Sequence, residues 1–142
     1  MVCVAGAQTG SVPGVTAMPD DLPTVLANIV AALRTMSPGR LASTLPGPTT
    51  SRADAGRLIA RALALAAQGI EDAESPAPPA WRTVPDVADL VVGDQVNVLA
   101  HDLAVAVGGP APAEVWTPDG RAPLADVLRD VLATAREVRR LL

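Results

Sequence analysis

Residues 84–109 read VPDVADLVVGDQVNVLAHDLAVAVGG, and the rest of the chain has to be arranged around them. Pro85-Asp86 opens a helical pattern and Gly108-Gly109 closes it. Gly93 offers a break between a short first helix and a longer second one. At 100° per residue, Val92, Val96, Leu99 and Leu103 share one apolar face. The opposite side is no ordinary charged surface. It carries Asp94, Asn97, His101 and Asp102 interleaved with Val87, Leu90, Val91, Val98 and Val105. A helix apolar on both sides is normally covered on both, centrally in its fold or across a subunit interface.

The flanking segments show what covers it. Downstream, Leu124, Val127, Leu128, Val131, Leu132, Ala135, Val138 and Leu142 form an unbroken amphipathic stripe over residues 123–142. Arg136, Arg139 and Arg140 lie at its C-terminal end, where cations complement the helix dipole. Upstream, Asp20 or Asp21 caps a helix that carries Leu22, Val25, Leu26, Ile29, Val30, Leu33 and Met36 at helical spacing. Pro38-Gly39 stops it, and the proline- and glycine-rich residues 37–50 read as a loop.

Ser51-Arg52-Ala53-Asp54 resembles a capping box, and a helix follows to about Ala73. Its apolar face holds Leu58, Ile59, Ala62, Leu65 and Ile70; Arg57, Arg61, Gln68 and Asp72 are expected in solvent. SPAPPA at 75–80 reads as an extended spacer. Between Glu114 and Arg121, a Pro-Asp-Gly turn fits a small hairpin or a plain turn equally well. Four helical segments of roughly 15 to 24 residues, joined by breakers, predict an all-α fold. The expectation is a four-helix bundle-like single domain over residues 20–142, preceded by a flexible arm over residues 1–19.

Composition narrows the function. The chain has 142 residues, 49% hydrophobic and 18% charged, too apolar and too weakly charged for a disordered polymer. A net charge of -4 argues against a nucleic-acid binder, which needs a basic face. Two tryptophans are the only aromatics, so base-stacking platforms are lacking as well. Every basic residue but His101 is Arg, and the Ala-, Val-, Leu- and Pro-rich composition suggests a high-GC bacterial source. No run of about 18 residues is uninterruptedly apolar, which predicts no membrane span. The single Cys3 forms no internal disulfide, and the first residues lack a signal-peptide pattern, so a cytoplasmic location is expected.

The polar residues of 84–109 admit two readings. In a covered groove, His101 is the acid/base group, because imidazole titrates near neutral pH. Asp94 is then a second carboxylate and Asn97 a hydrogen-bonding positioner. Asp94 and His101 are seven residues apart, about 10 Å along a helix, so a ligand, a water or Asn97 has to bridge them. Trp81, Trp116, Val98 and Asp102 are the candidate pocket residues around this set. In the structural reading, the same polar groups cap a neighbouring helix, hold buried water or fix the register of a bundle, and the tryptophans plug its ends.

No metal site is expected, because the chain offers one histidine and one remote cysteine with no EF-hand or Glu-x-x-His spacing. No phosphate-loop, dinucleotide or nucleophile-elbow pattern implies a cofactor or a serine nucleophile. Two functions remain. The first is a soluble interaction module that forms a homo-oligomer or binds a protein partner through the two-sided helix and the last helix. The second is a small cofactor-free enzyme, or a binder of a small apolar ligand, working through Asp94, Asn97 and His101.

Overall fold

The computed structural model describes residues 18–47 and 50–142. Cys3 and residues 1–17 of the expected arm lie outside the described residues. In chain order the elements are α1 (Asp21–Thr35), a short α2 (Pro38–Leu41), α3 (Arg52–Glu71), a 3-10 turn (Asp89–Val91), α4 (Val92–Gly108), strands β1 (Glu114–Thr117) and β2 (Gly120–Pro123), and α5 (Leu124–Leu141). The protein is mainly α-helical with one small two-stranded sheet.

Local chemistry accounts for the starts of α2 and α3, whereas Asp20, which precedes α1, makes no side-chain capping bond. Ser51 caps α3, its hydroxyl accepting from the Asp54 amide at 3.0 Å. Ser37 does the same for α2, accepting from the Arg40 amide at 3.2 Å. Part of the expected loop is thus a helical turn, with Pro38 at the position where its missing N–H costs nothing. Pro85 does not start a helix; residues 84–88 have no regular structure, which begins at Asp89.

Gly93 is not a break either. It lies inside the first turn of α4, where an added Cβ would come 3.2 Å from Leu33 Cβ and 3.1 Å from Arg34 Cγ. Its role is to let α4 approach α1.

Helix α1 lies against α4 and α5, and α3 lies against the same two. Leu22, Ile29, Ile59, Leu63, Leu103 and Leu128 fill the space between them and are all fully buried. With so few aromatics, the core closes by close backbone approach as well as by bulk. A Cβ on Gly69 of α3 would sit 2.0 Å from the Trp116 carbonyl oxygen of β1.

The hairpin is real: β1 and β2 pair antiparallel, with Trp116 opposite Arg121 and Thr117 opposite Gly120. Gly120 takes a φ of 125°, a conformation that favours glycine. The Arg121 guanidinium stacks on the Trp116 ring at 4.9 Å and donates to the Ala73 carbonyl at 2.8 Å. Trp116 Nε1 donates to the Ser75 carbonyl at 3.1 Å, so the hairpin clamps the end of α3.

Residues 78–88 have no regular structure, and the part that follows the expected 75–80 spacer is held in place. Side chains from α3 and α4 hold it. Gln68 Oε1 accepts from the Arg82 amide at 2.8 Å, Arg57 donates to the Val87 carbonyl at 2.6 Å, and Gln95 donates to the Pro85 carbonyl at 2.8 Å. Gln68, expected in solvent, is 4% exposed because this segment covers it.

By length and composition, the segment Asp89–Gly108 is apolar enough to cross a membrane. Its mean hydropathy is high despite Asp89, Asp94 and Asp102, which break any continuous apolar run. Val92, Val96, Leu103 and Val107 are its buried hydrophobic side chains and belong to the core.

Candidate functional site

The outward side of α4 and of the turn before it is where the chain departs from an ordinary surface. Leu90 is 62% exposed, Val91 44%, Val98 58% and Val105 64%; these are the exposed large hydrophobics among the described residues. Their inward counterparts Val92, Val96 and Leu103 are fully buried. One helix therefore has one apolar side spent on the core and a second left open. Single exposed apolar residues are common on protein surfaces; here four of them gather on one side.

Asp94, Asn97, His101 and Asp102 all lie on this open side and are exposed. They do not converge. Asp94 Oδ1 accepts from Arg34 Nε of α1 at 2.7 Å, an exposed ion pair. Asn97 and His101 line a shallow depression of about 260 Å³ toward α1, with Met18, Pro23 and Leu26. Asp94 and Asp102 instead border a groove of about 600 Å³ toward α3, floored by Ala64, Ala67, Val84 and Leu99. Val98 lines the same groove.

The tryptophans are separated too. Trp81 lines a groove of about 390 Å³ with Arg57, Arg61 and Leu65. Trp116 lines one of about 180 Å³ against Val127 and Val131 of α5. Of the expected site residues, the structure groups Asp94, Val98 and Asp102 at one groove and Asn97 and His101 at another depression, and sets both tryptophans apart from them. The about 600 Å³ groove is of the size that holds small organic ligands, but His101 and both tryptophans are outside it. Among the described residues, no three His, Cys, Asp or Glu side chains gather into a metal-holding set.

One ionic cluster was not foreseen. Arg57 of α3 donates to Asp54 Oδ1 at 3.0 Å and to Asp89 Oδ1 at 2.8 Å, and its Nε faces Asp86 Oδ1 at 3.5 Å. Burial pushes the Arg57 guanidinium toward the neutral form, but Asp89 and Asp54 outweigh it and raise its pKa. The Thr50 hydroxyl, with help from Arg57 and Ser51, holds the Asp54 carboxyl below the ordinary carboxylate range against a smaller opposing effect of burial. Asp86 starts no helix; with Asp89 and Arg57 it ties the irregular segment before α4 to α3. The i,i+3 spacing of Asp54 and Arg57 was a legible half of this cluster; the other half comes from about thirty residues downstream.

Compared with protein-family models, curated proteins and solved structures, the chain matches none.

Proposed function

We propose that the chain is a helical interaction module: its four long helices form a four-helix bundle, and the open side of α4 joins it to a second copy of the chain. The bundle reading is supported by the neighbour relations, in which α1 and α3 each lie against both α4 and α5. The observation that carries the function is the concentration of Leu90, Val91, Val98 and Val105 on one uncovered face.

Val91, Val98 and Val105 recur at intervals of seven, the spacing of one seam position in a pair of supercoiled helices. A two-fold interface uses the same patch on both copies, so a regular stripe of one residue type is self-complementary. Asp94 and His101 each follow a seam valine by three residues and occupy the companion seam position. Polar groups there set register at some expense of stability. In this reading the polar residues of α4 specify the pairing and carry no acid–base chemistry.

The test is a mass measurement by light scattering, paired with circular dichroism. Wild type at micromolar concentration is expected to be a dimer, and Val98→Glu and Val105→Glu monomers of unchanged helicity. A monomeric wild type overturns the proposal. So does a wild type that binds anionic lipid vesicles through this face without self-association.

A further inference from the structure

Residues 81–87 lie across the α3/α4 seam and separate two of the grooves. On one side is the about 390 Å³ groove with Arg61, Leu65 and Trp81; on the other is the about 600 Å³ groove with Ala67, Val91 and Leu99. Ala64, Gln95 and residues 82–85 line both. The two grooves are therefore one trough, bridged by the chain itself.

The bridge is held in an unusual way. Among the described residues, no backbone–backbone hydrogen bond ties residues 76–87 to another element. Pro76, Pro78, Pro79 and Pro85 have no amide to give to one. The bonds that do exist involve side chains: Gln68 to the Arg82 amide, Gln95 to the Pro85 carbonyl, Arg57 to the Val87 carbonyl, and the ion pairs Arg82–Glu71 and Arg57–Asp86 at the rim.

Gln68 is also the buried polar side chain of the described residues. On a helix face otherwise built from Ala, Leu and Ile, its burial is tolerated only because both ends are satisfied, by the Ala64 carbonyl at 3.2 Å and the Arg82 amide at 2.8 Å. Its contact outside its own helix is the bridge.

From this we infer that residues 81–87 are a releasable strap. They occupy the α3/α4 trough as an internal ligand, with Gln68 and Gln95 as latches, and their release opens one continuous apolar channel while the long helices stay folded. A segment fixed by a few side-chain bonds and two rim ion pairs, with no backbone pairing to another element, belongs to the low-stability end of a structure, where opening is local. The trough shares Val91 and Val98 with the seam proposed for α4, but the inference does not rest on what α4 binds, because the bonds that hold the strap come from Gln68, Gln95 and Arg57 and not from seam residues.

Amide hydrogen exchange on the full chain, read residue by residue, tests it. In wild type the Arg82 amide is expected to exchange faster than the core amides of Leu63 and Leu103. Gln95→Ala removes one latch from a half-exposed position, where folding is not at stake; Gln68→Met removes the other while keeping volume. Each is expected to speed Arg82 exchange roughly five- to tenfold, the effect of one lost hydrogen bond, with Leu63 and Leu103 unchanged. Tryptic cleavage after Arg82 is expected to rise in parallel. An Arg82 amide that exchanges only at the rate of Leu63 and Leu103, in wild type and in Gln95→Ala, overturns the inference, because the strap then leaves only with the whole fold.

Discussion

Arg57 shows how far a single residue's role depends on distant sequence. On a helical wheel it stands opposite the apolar stripe and reads as solvated. In the structure its side chain is 22% exposed and serves Asp54, Asp86, Asp89 and the Val87 carbonyl. Arg57→Ala leaves three carboxylates near one another and a carbonyl without its donor. The expected loss, measured by urea unfolding, is about 2 kcal/mol, in the range for hydrogen bonds to charged groups. Arg57→Lys recovers only part of it, since an ammonium cannot spread its donors as the planar guanidinium does. Asp54 adds a pH dependence. Its pKa is lowered on folding, so its contribution is complete above roughly pH 3.9, the usual Asp value, and is lost as pH falls through the lower folded value. Asp54→Asn is expected to flatten the acid side of the stability curve and to leave its neutral-pH slope unchanged. What was legible here is the cap: Ser51 and Asp54 follow a local rule, whereas the cover over Arg57 and Gln68 is supplied by a segment that no local rule places.

Among the elements, the contrast is between α4 and the strap. The two-sidedness of α4 was legible in residues 84–109, because apolar residues on opposite sides of a helical wheel have no other meaning. Which side faces the core was legible in part: Val92, Val96 and Leu103 are fully buried and Leu99 half-buried. The boundary was not, because the Pro85-Asp86 start signal is overridden by the bonds that hold residues 85–87 out of regular structure. Since Val98 is 58% exposed, Val98→Glu is expected to change the unfolding free energy of the isolated chain by no more than about 0.5 kcal/mol, while abolishing self-association. The hairpin gives the opposite kind of prediction. Gly69→Ala should gain about 1 kcal/mol from helix propensity, yet the added methyl would lie 2.0 Å from the Trp116 carbonyl oxygen. A net destabilisation of about 1–3 kcal/mol, typical of overpacking, is expected in thermal or urea unfolding; a stabilised variant would show that α3 and β1 do not meet as described.

Taken as a whole, the molecule is a helical core built without Phe or Tyr, closed by small residues, with one face unspent. Its mainly helical class was legible because four segments carry a helical period between strong breakers. The way the helices neighbour one another was not, because it depends on contacts between faces far apart in sequence. The exposed ion pairs Arg34–Asp94 and Arg136–Asp21 join helices at the rim, and pairs of this kind contribute little and are screened by salt. Association through an apolar face by a chain of net charge -4 is therefore expected to be undiminished between about 0.1 M and about 1 M NaCl. An interface made of ion pairs would weaken over that range.

The most direct test is sedimentation velocity of the wild-type chain over a micromolar concentration series, beside Val98→Glu under the same conditions. The account predicts a wild-type mass of about twice the 14.4 kDa of one chain and a single-chain mass for the variant. A wild type that sediments as one chain throughout, with Val91, Val98 and Val105 left in water, would contradict it.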